Sequence, residues 1–153
     1  MAYPFNMEVE VALPGFSVTG VPPQANPQCV INEGPQTGLP DRIIRTNQPW
    51  NVHFHWCVEV PESEPGGVWC DWMCDVYLLK LSAPGGAQLV GSERVPYNTG
   101  VPGPQNYDVV VPIAPNQVQA GMYELHTSVD ILSPVIVPVI LFGNGPMMKF
   151  YQL

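Results

Sequence analysis

From Trp50 to Val60 the chain alternates without a break: Trp50, Val52, Phe54, Trp56, Val58 and Val60 against Asn51, His53, His55, Cys57 and Glu59. Successive side chains of a strand point to opposite faces, so this rhythm predicts a ribbon with one buried and one polar side. The same rhythm recurs. Met7, Val9, Val11 and Leu13 predict a first strand, with Phe16 and Val18 continuing it beyond Pro14-Gly15. Arg42–Thr46 predicts a short strand. Between Val68 and Ser82, Cys70, Trp72, Cys74, Val76 and Leu78 share a side, and Trp69, Asp71, Met73, Asp75 and Tyr77 share the other. Pro61–Gly67 reads as a turn, so this strand is expected to return antiparallel beside Trp50–Val60.

Further along, Ala87–Val95 predicts a weaker strand. In Tyr107–Ile113, residues Tyr107, Val109, Val111 and Ile113 point inward; in Met122–Leu132, residues Tyr123, Leu125, Thr127, Val129 and Ile131 share a face. Val135–Phe142 is apolar on both faces, so it is either central or covered. Met147–Gln152 closes the chain after Gly143-Asn144-Gly145-Pro146. No window has helical periodicity; Ala114–Ala120 allows a single turn. Gly20–Pro40 reads as a long Pro/Gly/Gln/Asn loop whose apolar anchor is Cys29-Val30-Ile31.

This is an all-β pattern of about seven to nine short strands, an antiparallel two-sheet β-sandwich with long Pro/Gly loops. A single domain over 1–153 is expected, with 1–41 as an N-terminal strand plus loop and 42–153 as the sandwich core. Within it, Ala120-Gly121-Met122-Tyr123-Glu124-Leu125 resembles the tyrosine corner of immunoglobulin-like and fibronectin-III-like sandwiches. Trp56 would then be the core tryptophan. Antibody domains carry cysteine two positions after that tyrosine; here it is Leu125, so their inter-sheet disulfide is not reproduced in that form. The resemblance is architectural, spans roughly residues 42–153, and transfers no function.

Composition narrows the partners. The formal charge is −8, from 13 acids and 5 bases, and charged residues make up 12% of the chain. Arg42, Arg45, Lys80, Arg94 and Lys149 form no basic cluster in the sequence. A nucleic-acid footprint and attraction to an anionic membrane are therefore not expected. So few charges are consistent with a surface partly covered by another protein chain. The start Met1–Asn6 has neither a basic nor an apolar signal-peptide region, so a cytoplasmic location is expected. In that compartment Cys29, Cys57, Cys70 and Cys74 would stay reduced; in an oxidising one, Cys57 and Cys70 form the most plausible bridge, across the expected hairpin.

The chemistry on offer is sparse. There is no Gly-x-Ser-x-Gly and no phosphate-binding Gly loop. His53, His55 and Cys57 lie on one strand face, where alternate residues sit about 6.5–7 Å apart and can converge on one ion, zinc being the candidate. Asp71, Asp75, a neighbouring cysteine or His126 are candidates to complete the set. The competing reading is a wet sheet face decorated with polar groups. Trp69, with Met73 and Tyr77, is the candidate interaction surface; Trp69 and Tyr77 also suit a sugar. The leading expectation is a non-enzymatic structural or interaction module that self-associates through sheet faces or edges, with no cofactor. Metal binding on the His53/His55 face and carbohydrate binding are the alternatives.

Overall fold

A computed structural model describes residues 2–11, 17–33, 43–59, 71–82, 85–96, 104–132 and 140–152. Trp69, Cys70, the Pro61–Gly67 turn and residues 135–139 lie outside the described residues. Ten strands account for most of what is described: β1 (Ala2–Val11), β2 (Ser17–Thr19), β3 (Gln28–Glu33), β4 (Ile43–Arg45), β5 (Trp50–Glu59), β6 (Asp71–Lys80), β7 (Gln88–Pro96), β8 (Pro104–Ile113), β9 (Gly121–Leu132) and β10 (Ile140–Tyr151). The fold is all-β. No helix among the described residues is long and apolar enough to cross a membrane.

Hydrogen bonding runs in the order β2-β5-β3-β1-β10-β9-β6-β7, with β8 on the other side of β5 and β4 beside the end of β10. Pairing is antiparallel except between β4 and β10, which run parallel. β1 joins the two halves. Its first residues, Ala2 to Asn6, pair with β3, and Met7 to Val11 pair with β10 across an irregularity between Val9 and Val11. One strand thus leaves the β5 half and enters the β9 half.

The halves face each other over a common core. Trp56 of β5 meets Trp72 of β6 edge-on with ring centroids 5.6 Å apart, and stacks on Tyr107 of β8 at 5.0 Å. Trp50 and Phe150 approach at 5.4 Å. Each such aromatic pair contributes about 0.5–1.5 kcal/mol beyond simple burial. Trp56 is fully buried, as a core tryptophan must be. The inward positions read from the alternation of β5, β8 and β9 are buried wherever they are described: Trp50, Val52, Phe54, Trp56 and Val58; Tyr107, Val109, Val111 and Ile113; Tyr123, Leu125, Thr127 and Val129.

Several expectations need correction. β5 and β6 do not form a hairpin. β5 pairs with β2, β3 and β8, and β6 pairs with β7 and β9. Their aromatic faces oppose each other across the core instead, which is why both carry an unbroken row of large apolar residues. The hairpin that would have set Cys57 beside Cys70 is therefore absent. The supposed Gly20–Pro40 loop contains β3, whose Cys29 and Ile31 are fully buried. Its flanking prolines and asparagines masked a six-residue strand. β1 begins earlier than expected and its alternation breaks: Met7 is buried while Val9 is exposed, because the strand changes partners there. The 140–142 stretch pairs with β1 on one side and β9 on the other, so it is central, not an edge. β10 continues through Gly143–Pro146 to Tyr151 with only a register shift between Asn144 and Met147. Met7 of β1 and Cys29 and Ile31 of β3 belong to the same core as Trp56.

Candidate functional site

Among the described residues, the outward face of β5 carries the most concentrated chemistry. Because Phe54 and Trp56 point into the core, His53 and His55 must point out. Register then chooses their neighbours. His53 lies between Val30 of β3 and Val110 of β8, and His55 lies between Gln28 of β3 and Asp108 of β8. The His55 Nδ1 and an Asp108 carboxylate oxygen are 3.5 Å apart. The two imidazole rings sit 5.8 Å apart, tilted by 46°. One ligand atom from each of His53, His55 and Asp108 can be chosen so that all lie within 4.8 Å of one another. Asp108 is the residue the sequence reading lacked. Its outward direction followed from the alternation of β8, but its place opposite His55 required knowing that β8 pairs with β5.

Cys57, one step along, is buried and faces Asn106 on β8 and Thr19 on β2. It is not in the His53–His55–Asp108 group. The other expected contributors lie elsewhere. Asp71 and Asp75 are on β6 and His126 is on β9, both in the other half of the molecule. His126 faces outward there, with Nδ1 3.0 Å from Asn144 Oδ1 and Nε2 3.5 Å from a Glu124 carboxylate oxygen. Beside His55 a groove of about 250 Å³ opens, walled by Val21, Pro22, Pro23 and Val30. The segment between β2 and β3 folds over the sheet face to form it. There Gly20 approaches Asn26 and Gln24 so closely that a Cβ would strike their carbonyl oxygens.

The second polar face lies on β6, β7 and β9. Ser92 Oγ donates to Asp75 Oδ1 at 2.6 Å, and the Tyr77 hydroxyl donates to Asp75 Oδ2 at 3.3 Å. Arg94 Nε lies 3.4 Å from Asp71. Met73 is paired with Arg94 and Asp130 and takes a 3.1 Å contact from Ser92 Oγ. Burial, and then the nearby Asp75 carboxylate, raises the Asp130 carboxyl above its usual range; burial also raises the Tyr77 phenol, with Asp75 adding to it. Met73 and Tyr77 are thus half-buried members of a hydrogen-bonded polar lattice, and Trp69 lies outside the described residues. Further along the same outward side, Phe142, Met147 and Met122 are 45%, 50% and 39% exposed.

At the corner before β9, the Tyr123 hydroxyl donates to the Gln119 carbonyl at 2.9 Å. No protein-family model and no curated protein matches this sequence. Among solved structures, the chain is similar to the C-terminal domain of wzt at 7% identity with a TM-score of 0.47; the match covers 99% of this chain and 79% of that one.

Proposed function

We propose that this chain is a non-enzymatic, immunoglobulin-like β-sandwich that associates with a second copy of itself through the outward face of β6, β9 and β10. The observation that carries the reading is the set of exposed apolar side chains on that face, Met122 and Met147 as diagonal neighbours and Phe142 further along β10. Met147 sits opposite Glu124, Met122 opposite Lys149, and Phe142 between Glu8 and Ser128. Two methionines flanked by one acid and one base are self-complementary. In a two-fold pairing, Lys149 of one copy meets Glu124 of the other while the methionines pack together.

The dimensions suit this occupant. Three strands at about 4.8 Å spacing and about ten residues in length present roughly 480 Å², and with the flanking β1 and β7 the face extends to roughly 800 Å², the area per partner of a standard specific interface. Edge pairing is the poorer route. β8 carries Pro104 and Pro112, which cannot donate to a ladder, and β7 carries Glu93, Arg94 and Pro96. The immunoglobulin-like assignment is supported by the Tyr123–Gln119 hydrogen bond, which reproduces the backbone tie of a tyrosine corner.

Light scattering after size exclusion tests the reading. The expected result is a mass above the 16.8 kDa monomer that rises with concentration through the micromolar range. Phe142→Asp and Met147→Asp should return the protein to monomer. Val110→Asp, the same chemical change on the opposite face, should not. A monomer at every concentration, or association untouched by both face variants, overturns it.

A further inference from the structure

We propose that His53, His55 and Asp108 form a binding site for a divalent first-row transition ion, with Zn²⁺ as the preferred occupant. The proposal is independent of self-association, because this face lies on the opposite side of the molecule from Phe142 and Met147.

Four observations support it. First, the donor set is two imidazoles and one carboxylate, a borderline N/O combination that suits zinc and its neighbours and disfavours the all-oxygen shells of Ca²⁺ and Mg²⁺. Second, the spacing is near that of a closed shell. Around zinc, bonds of about 2.0–2.2 Å put neighbouring ligand atoms about 3.3 Å apart. The His55–Asp108 separation is already 3.5 Å, and the whole group spans no more than 4.8 Å. Side-chain rotation closes the remainder without moving the strands.

Third, the scaffold is rigid. Both histidines stand on the central strand of the half, held by β3 on one edge and β8 on the other, and the intervening Phe54 is fully buried. Sites built on strands hold their geometry better than sites on loops. Fourth, the site is accessible and the protein is anionic. The Asp108 side chain is 67% exposed and that of His55 31%, and the net charge of −8 favours capture of a cation. Three protein ligands leave a fourth position, and the groove beside His55 gives room for an exchangeable ligand there.

The test uses the full chain, stripped with chelator and returned to metal-free buffer. Calorimetric titration with Zn²⁺ should give one ion per chain with a micromolar or tighter dissociation constant. Ca²⁺ should give no heat of binding. Co²⁺ should bind with visible d–d absorption of tetrahedral intensity. Loss of one ligand should weaken binding by at least about tenfold, since even outer-shell changes cost 10–100-fold. His53→Ala, His55→Ala and Asp108→Asn should each do so. Asp108 is exposed enough that its variant leaves the core intact. His126→Ala, on the other half of the molecule, should leave the affinity unchanged. No binding at about 100 μM Zn²⁺ overturns the proposal. So does binding that survives Asp108→Asn, or binding lost equally with His126→Ala.

Discussion

At the scale of the residue, the buried thiols show most clearly what the core imposes. Cys29 of β3 faces Thr127 of β9, its Sγ 3.4 Å from Thr127 Oγ1, at the seam between the two halves. Burial pushes the Cys29 thiol up to about 12, with the Thr127 hydrogen bond opposing only weakly. Cys74 is raised further, by burial first and then by the neighbouring Cys29 and by the acids Asp75, Asp130 and Glu93. Both are therefore neutral thiols at physiological pH, packed as small apolar groups. The consequence for stability follows from the sign of the shift. Between the unfolded value of 9.0 and the raised folded value, the unfolded chain has released its protons and the folded chain has not. Stability from these groups is complete below pH 9 and declines above it, by about 1.4 kcal/mol per pH unit per thiol. Urea titrations at pH 8 and pH 10 should show a lower midpoint at the higher pH. Cys29→Ala/Cys74→Ala should flatten that difference. An unchanged slope in the double variant would mean that neither thiol titrates as described. Iodoacetamide labelling of native protein at pH 8, mapped to the individual cysteine, should leave Cys29 and Cys74 unmodified.

Among the elements, β10 carries the heaviest constraint. It has β9 along one edge and shares the other edge between β1 and β4. Where β1 crosses from one half to the other, Gly143 lies under Thr127, Phe5 and Met7. A Cβ there would come within 2.9 Å of Phe5 Cε2 and 3.1 Å of Met7 Cγ, and closer still to Thr127 Oγ1. Glycine at this position is a packing requirement, not a turn. Gly143→Ala should destabilise the fold by about 1–3 kcal/mol, the usual range for overpacking a tight core. Equilibrium urea denaturation measures it. Gly85→Ala provides contrast in space, since a Cβ there meets nothing within 4 Å, although its φ of 141° adds local strain.

For the whole molecule, charge decides how readily two copies meet. Each carries −8, so at low ionic strength like charges oppose approach even where Lys149 and Glu124 are complementary. The Debye length shrinks from about 30 Å at 0.01 M salt to about 10 Å at 0.1 M. Screening weakens the overall repulsion more than the close pairs of an interface. The proposed self-association, measured by sedimentation velocity, should therefore strengthen as NaCl rises from about 0.01 M to about 0.15 M. Weakening over that range would show that the charge pairs, and not the exposed apolar side chains, hold the copies together.

The alternation of apolar and polar positions was enough to orient β5, β8 and β9, because which side of a strand faces the core is a local property with a period of two. It placed Trp56 inside and His53 and His55 outside. Strand partnership is a different kind of information. Trp56 and Trp72 look the same in the sequence whether their strands are hydrogen-bonded neighbours or opposing walls, and only the fold made them opposing walls. β3 was hidden because six residues between prolines carry too little periodic signal to stand out. Asp108 was visibly outward-facing yet chemically anonymous until register set it against His55. Facing direction is written in each residue's immediate neighbours along the chain. The company it keeps depends on pairings between distant segments, whose free energy is settled only when the whole core closes.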